Sequence, residues 1–306
     1  MDNKLITVFT PTYNRAYCLH QLYESLCRQS SHDFLWLIID DGSTDNTKEL
    51  VDFWIKEKKI EIQYFFKSNG GMHTAHNAAY ELLETELNIC IDSDDYMPDN
   101  AVEIILEFWM KNKSPRVGGI LALDMARDGN IIGTKFPEDL EYFEGWGWKY
   151  IYMNGKRYRI KGDKKFIAVT KVLQQYPSIP VFEGEKFYGL YYKQHYIERE
   201  YRILLFNEPV CVVEYLPDGS SMNIFKQYMN NPKGFQHMRM HTIKIAPTFD
   251  IKFIQTVHYL NSCLIMKDYN FYKKGLNIGI ITLALPFGLA LYFYTKYMGN
   301  KLRRIS

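Results

Sequence analysis

Apolar positions in the first 115 residues alternate between two patterns. Short apolar runs occur at Leu5–Thr10, Phe34–Ile39, Glu61–Phe66 and Leu87–Ile91. Between them, apolar residues return every three or four positions. Arg15–Arg28 carries Leu19, Leu22, Tyr23 and Leu26 at helical spacing, and Ser43–Lys58 places Leu50, Val51, Trp54 and Ile55 on one face. Met72–Glu84 and Asp99–Lys111, the latter entered through Pro98-Asp99-Asn100, complete the set. The helical period predicts amphipathic helices, and the continuous runs predict strands covered on both faces. Strand and helix alternate with short loops, which predicts right-handed crossovers and an α/β fold with a mostly parallel sheet.

After Ser114-Pro115 the pattern weakens. Gly118–Leu123 is another buried-type strand, residues 128–162 have no clear period, and Lys164–Tyr176 is mixed. Pro180–Glu185 reads as a loop, Tyr188–Tyr201 as a helix and Val210–Tyr215 as a strand. Residues 223–272 read as basic helices, and residues 276–294 form a 19-residue stretch without charge. The expected division is 1–115, 116–222 and 223–306.

Composition narrows the classes. With 306 residues, 47% hydrophobic and 24% charged, the chain is neither disordered, nor collagen-like, nor a polytopic membrane protein. The net charge of +2 hides an asymmetry: residues 1–222 carry 33 acidic against 25 basic side chains, and residues 223–306 carry 2 against 12. A basic end on an acidic body predicts an anionic partner for that end. Five cysteines without metal-type spacing predict reduced thiols in a cytosolic compartment. The start, Met1-Asp2-Asn3-Lys4-Leu5, has no signal-peptide pattern.

Ligands of an open parallel sheet bind beyond the carboxyl ends of its strands. Asp40-Asp41-Gly42-Ser43 follows the second strand and Asp92-Ser93-Asp94-Asp95 the fourth, so both acidic clusters fall on one edge. Converging carboxylates repel, and a divalent cation such as Mg²⁺ or Mn²⁺, sharing ligand phosphates, relieves this. Asp45 and Asp99 are instead expected to cap helices. Pro11-Thr12-Tyr13-Asn14-Arg15, after the first strand, offers a rigid turn, a ring and a guanidinium to a nucleobase and its phosphates. Asn69-Gly70-Gly71 opens a helix with free amides for an anion, and His73 or His76 beside it is a candidate diphosphate contact. Neither a P-loop nor a G-x-G-x-x-G turn is present.

Thr10-Pro11-Thr12-Tyr13-Asn14-Arg15, Asp40-Asp41-Gly42-Ser43-Thr44-Asp45, Asn69-Gly70-Gly71 with Ala75-His76-Asn77, and Asp92-Ser93-Asp94-Asp95 together resemble a family 2 glycosyltransferase of GT-A fold. Order and spacing match over residues 1–115. The likeness is looser from 160 to 222, ending at Tyr215-Leu216-Pro217-Asp218-Gly219-Ser220. One departure is His76, where the family often has Arg. The resemblance implies a Rossmann-like domain and an inverting transferase that uses a nucleotide-sugar, most often a UDP-sugar, with Mg²⁺ or Mn²⁺. It implies that Asp41 contacts the uracil, and that Pro11, Thr12, Tyr13 and Arg15 line the nucleoside pocket. It further implies that Asn69, Gly70, Gly71, Asn77 and Ser93 complete the donor site, that Asp92 reaches the ribose or the metal, and that Asp94 ligates the metal.

Inversion needs a base opposite the leaving diphosphate. The family usually supplies it from a Glu-Asp pair, for which Phe182-Glu183-Gly184-Glu185-Lys186-Phe187 is the nearest match, with Lys186 replacing the Asp. Glu185 leads, Glu183 follows and Asp163 is third. His237 and His241 lack the Glu and the third ligand of a zinc motif. Trp146 and Trp148 are expected to pack. The uncharged stretch holds Pro286, is flanked by Lys267, Lys273 and Lys274 and by Lys296, Lys301, Arg303 and Arg304, and has Tyr292, Tyr294 and Tyr297 near its end. Basic flanks on both sides predict a helix or helix pair lying in the membrane interface, with a membrane span, for which the stretch is just long enough, and a packed core helix as the alternatives.

The expected activity is transfer of a sugar to a glycan or lipid-linked acceptor on an anionic membrane surface, as a peripheral protein on the cytoplasmic face. Surface polysaccharide synthesis is the expected setting, and nucleic acid is not an expected partner. Nucleotidyl transfer to a sugar phosphate, or glycan binding without catalysis, are the alternatives.

Overall fold

The computed structural model describes residues 4–145, 147, 149–153, 155–214 and 224–303. The expected features at Trp146, Trp148 and 215–220 lie outside them. Strand β1 (Ile6–Thr12), helix α1 (Ala16–Cys27), β2 (Phe34–Asp40), α2 (Thr47–Glu57), β3 (Ile62–Phe66), α3 (Met72–Leu82), β4 (Leu87–Cys90) and α4 (Ala101–Asn112) follow in the predicted order. Helix α2 begins after Ser43 because Asp45 turns the chain first. Its carboxylate accepts from Thr47 N at 3.1 Å, Thr47 Oγ1 at 2.6 Å and Ala16 N at 3.1 Å.

The chain continues through β5 (Val117–Ala126), β6 (Tyr142–Phe143), the hairpin β7 (Tyr150–Met153) and β8 (Lys156–Arg159), β9 (Lys164–Val169), α5 (Thr170–Leu173), α6 (Tyr192–Glu200) and β10 (Arg202–Val213). Among the described residues the main sheet has eight strands in the order β3-β2-β1-β4-β9-β5-β10-β6. It is mostly parallel, as expected, with β9 antiparallel to β4 and β5, and β6 antiparallel at the edge. The mixed texture of residues 164–176 is this inserted strand followed by one helical turn.

Strand β10 departs from expectation. It begins at Arg202, eight residues before the predicted strand, and absorbs Pro209 through register shifts on either side of it. A proline cannot donate to the ladder, so the strand bends around it.

The sheet is covered on both faces. Leu19, Leu22 and Leu26 of α1 and Ile105 and Trp109 of α4 pack with Ile6, Val8, Trp36 and Ile89. Ala75 and Ala79 of α3 pack on Phe9, Leu37 and Ile39 from the other side. This is why the strands lack alternation.

Contacts divide the chain into two units, Met1–Ser178 with Lys193–Tyr215, and Ile179–Tyr192 with Leu216–Ser306. Strands β5, β9 and β10 join the sheet begun by residues 1–115. The second unit contains α7 (Ile224–Asn230), α8 (Pro232–Ile245), α9 (Phe249–Ile265) and α10 (Ile278–Arg303). Ile243, Tyr259, Leu260, Cys263, Ile281 and Ala284 form its core. A Cβ on Gly288 would stand 2.7 Å from Leu260 Cβ, so glycine sets how closely α9 and α10 approach.

Helix α10 runs unbroken through Pro286. Its 22-residue stretch Ile278–Gly299 is long and apolar enough to cross a membrane, and 22% of its most apolar window is buried. Leu283, Phe287 and Phe293 are 59%, 58% and 66% exposed. On its other face Ile281 and Ala284 are fully buried with Tyr259 and Leu260.

Candidate active site

The expected donor-site residues lie at the carboxyl ends of β1, β2 and β4 and at the start of α3. Because β1 pairs with both β2 and β4, Thr12 stands opposite Asp40 and Phe9 opposite Cys90. The loops after β1 and β2 are laced together. Asn14 takes a left-handed conformation, φ 52°, which Asn tolerates better than most residues. Its amide donates to Ser43 Oγ at 2.9 Å, and its Oδ1 accepts from Thr44 N at 2.7 Å. Pro11 and Thr12 are buried, and Thr12 Oγ1 has no hydrogen-bond partner among the described residues. Tyr13 is exposed, and Arg15 lies against Tyr17.

Asp40 and Asp41 both turn inward. Asp40 accepts from Ser43 N at 2.7 Å and Tyr64 Oη at 2.6 Å. Asp41 accepts from Lys67 Nζ at 2.5 Å, Gly70 N at 3.0 Å and Gly71 N at 2.7 Å, while Asn69 Nδ2 donates to its carbonyl at 2.9 Å. The Asn69-Gly70-Gly71 turn is therefore folded around the Asp41 carboxylate. Gly42 must be glycine here: its φ is 86° and a Cβ would meet Asn69 N at 2.8 Å.

His73 and His76 are both buried, and His73 Nδ1 has no hydrogen-bond partner among the described residues. His76 Nδ1 lies 3.0 Å from Tyr80 Oη and Nε2 3.6 Å from Cys90 Sγ, with Phe9 edge-on at 5.1 Å. Burial pulls its pKa down to about 4, so it is neutral and supplies no charge. Asn77 is half-buried on the same helix.

In the acidic turn after β4, Asp95 N donates to Asp92 O at 3.0 Å. Asp92 and Asp94 are half-exposed, while Ser93 and Asp95 are buried. Burial, and next the Asp92 charge, raise the pKa of Asp94, with Arg15 and Lys165 opposing. A cation between Asp92 and Asp94 would relieve that repulsion. Among the described residues no group of three or more His, Cys, Asp or Glu is arranged to hold a metal ion. The residues fit an ion held by two carboxylates whose coordination is completed by a ligand's phosphates, as magnesium usually is.

Three charged residues here went unread in the sequence. Lys67 precedes the Asn69-Gly70-Gly71 turn. Lys165 follows Lys164 at the start of β9, and its Nζ lies 3.1 Å from Asp95 Oδ2. Burial works against the Lys165 charge, but Cys211, Asp95, Asp124 and Asp92 outweigh it and raise its pKa. Asp124, near the end of β5, is 1% exposed, and its Oδ1 has no partner among the described residues. Burial pushes its pKa up to about 7. A carboxylate at the end of an apolar run was the available signal for Asp124, whereas Lys165, beside Lys164 in a charged stretch, gave none.

Glu183 and Glu185 belong to the second unit, and Asp163 is an exposed residue of the first, just before β9. Glu185 is half-buried at the start of α8, where its two oxygens accept from Lys233 N at 2.8 Å and Gly234 N at 2.7 Å. The helix dipole favours a carboxylate at this end. Glu183 is exposed.

A chondroitin synthase of Pasteurella multocida is 31% identical over 136 residues, covering 44% of this chain and 14% of its own length. The glycosyltransferase GlyG of Streptococcus pneumoniae is 28% identical over 198 residues, 60% of this chain and 58% of its own. The chain thus matches less than two thirds of either relative. Among solved structures, S. aureus TarS 1-349 in complex with UDP-GlcNAc superposes with a TM-score of 0.57 at 17% identity, covering 92% of this chain and 80% of that one. The mannosyltransferase PcManGT from Pyrobaculum calidifontis, in complex with GDP-Man and Mn²⁺, gives 0.55 at 15%, with coverages of 96% and 83%. The fold is thus of the GT-A type, and the model of "Glycosyl transferase family 2" matches residues 7–171, more than half of the chain. The chain belongs to glycosyl transferase family 2.

Proposed function

We propose that the protein transfers a sugar with inversion from a nucleotide-sugar, a UDP-sugar in the first instance, to a glycan or lipid-linked acceptor. The observation that carries this reading is the gathering of the β1, β2 and α3 loops beside two half-exposed carboxylates at one sheet edge. Pro11, Thr12, Tyr13 and Arg15 line the nucleoside pocket. Asp41 contacts the uracil and holds the Asn69-Gly70-Gly71 turn, and Asn77 and Ser93 complete the donor site. Asp94 and Asp92 would hold Mg²⁺ or Mn²⁺, which supplies Lewis-acid stabilisation of the leaving diphosphate. Glu185 takes the proton of the attacking acceptor hydroxyl, with Glu183 and then Asp163 as the alternatives. The relatives that are a chondroitin synthase and a hyaluronan synthase support a role in surface polysaccharide synthesis.

A panel of nucleotide-sugars with Mn²⁺ tests the donor by thermal shift. A ligand at a hundred times its Kd stabilises by about 2.7 kcal/mol. UDP-sugars are expected to raise Tm, and a panel without effect would remove the donor site.

Replacing Asp41 by Ala is expected to raise the donor KM far more than it lowers kcat, because a formed pocket is used equally by ground and transition states. It also takes the carboxylate from Lys67 and the acceptor from two amides, a loss of about 3 kcal/mol for a buried ion pair, although Lys67 keeps Ser68 O and Thr74 Oγ1 as acceptors. Titration calorimetry with UDP checks this, and unchanged affinity would take Asp41 out of the site.

The exposed face of α10 is proposed to bind an anionic membrane surface on the cytoplasmic side without crossing it. Lys267, Lys273 and Lys274 precede it and Lys296 and Lys301 lie near its end, each contributing about 1 kcal/mol at a charged surface. Leu283→Asp with Phe287→Asp removes about 3 kcal/mol of apolar burial, over a hundredfold in partition, while leaving the packed face intact. The double variant is expected to keep its Tm and lose flotation with anionic vesicles, and high salt should weaken the wild type. Flotation that survives both would contradict the interfacial reading.

A further inference from the structure

Of the three carboxylates in the acidic turn after β4, the last is held away from the other two. Asp95 Oδ2 accepts from Lys165 Nζ at 3.1 Å and lies 3.6 Å from the Cys211 thiol, and its Oδ1 accepts from Glu214 N at 3.2 Å. Lys165 reaches it from β9, Cys211 and Glu214 from β10 and the residue after it. The backbone repeats the stitch: Tyr96 N donates to Val212 O at 3.1 Å and Val212 N to Tyr96 O at 2.7 Å. The side chains of Lys165 and Asp95 are 13% and 5% exposed. Desolvation offsets most of the attraction in such a pair, so stability alone does not account for a lysine in this strand.

The placement accounts for it better. Asp124 shares this region from β5, where it pairs in register with Cys211, and its Oδ1 has no partner among the described residues. Lys165 is thus the cation between two inward carboxylates, and no second cation is paired to Asp95 among the described residues. Without it Asp95 would lose its paired cation and be drawn outward to the charge of any bound cation.

We infer that Lys165 is a positioning residue for this turn, holding Asp95 inward so that Asp92 and Asp94, and not Asp95, face the divalent cation. The inference rests on the proposed role of Asp92 and Asp94 as metal ligands. It carries a sign that separates it from a pure charge effect. An ammonium near a cation site repels the cation, so its removal would tighten binding if charge were all that mattered. Loss of a clamp loosens binding instead, by about tenfold or more where a supporting residue is removed.

The test is Mn²⁺ titration of the full chain with UDP present, following free Mn²⁺ by electron paramagnetic resonance. Circular dichroism melts show which variants fold. Lys165→Met is expected to weaken Mn²⁺ binding at least about tenfold. Lys165→Arg should recover part of that loss. Asp95→Asn, which keeps an acceptor for the ammonium, should lose less than Lys165→Met and far less than Asp94→Asn. Folded Lys165→Met with unchanged or tighter Mn²⁺ binding would overturn the inference. If Lys165→Met does not fold, Asp95→Asn decides: binding lost as fully as in Asp94→Asn would make Asp95 a ligand and overturn it, while binding largely kept supports it. A wild type that binds no Mn²⁺ would overturn the metal reading and this inference with it. Loss in Asp94→Asn but not in Lys165→Met would overturn this inference alone.

Discussion

Asp94→Asn is expected to lower kcat/KM by about three orders of magnitude, about 4 kcal/mol of transition-state stabilisation, with Tm unchanged or raised. Asparagine keeps the shape of the side chain and removes the charge that a divalent cation requires. The stability side follows from the environment. Burial and the Asp92 charge already raise the pKa of Asp94, so ionising it in the folded protein is unfavourable. A carboxyl with a raised folded pKa destabilises as pH rises through that pKa, and the neutral variant escapes this. Chelation of metal from the wild type should reproduce the loss of rate. A metal-stripped variant that keeps the full activity of the untreated wild type would contradict the assignment.

Glu185→Gln is expected to lower kcat by two to four orders of magnitude, roughly the span attributed to a general base, with donor affinity kept. A second effect comes with it. Glutamine can offer its oxygen to one of the two α8 amides at Lys233 and Gly234, and its NH₂ then faces the other. That costs about 1–2 kcal/mol of stability, as for a lost helix cap. The two effects separate cleanly by experiment. A fall in kcat measured well below Tm reports the base, whereas a lowered Tm with full kcat reports capping alone. In the latter case Glu183→Gln and Asp163→Asn become the informative variants.

Residues 1–115 were legible because each element there has one dominant period and is bounded by turn residues. The acidic strand ends were legible for the same reason: a parallel sheet places alternate loops on one edge. What was hidden depends on contacts far apart in sequence. Asp41 reads as a free acidic end, yet its oxygens are taken up by residues 26 to 30 positions later. His76 reads as a polar helix residue and is enclosed by Phe9, Tyr80 and Cys90. The first half of β10 was missed because Arg202 follows directly on a helix and Pro209 breaks the alternation that would mark a strand. Strands β6, β7 and β8 have two to four residues each, too few for a period to emerge. Helix α10 ran through Pro286 because its packed face, at Ile281, Ala284 and Gly288, is set by α9 and not by local propensity.

The most direct test of sugar transfer from a nucleotide-sugar is the identity of the small product. The protein, incubated with Mn²⁺, a UDP-sugar and a glycan acceptor panel, is expected to release free UDP in step with glycosylated acceptor. Release of pyrophosphate would mark nucleotidyl transfer, and a complete absence of UDP across the donor panel would contradict the account.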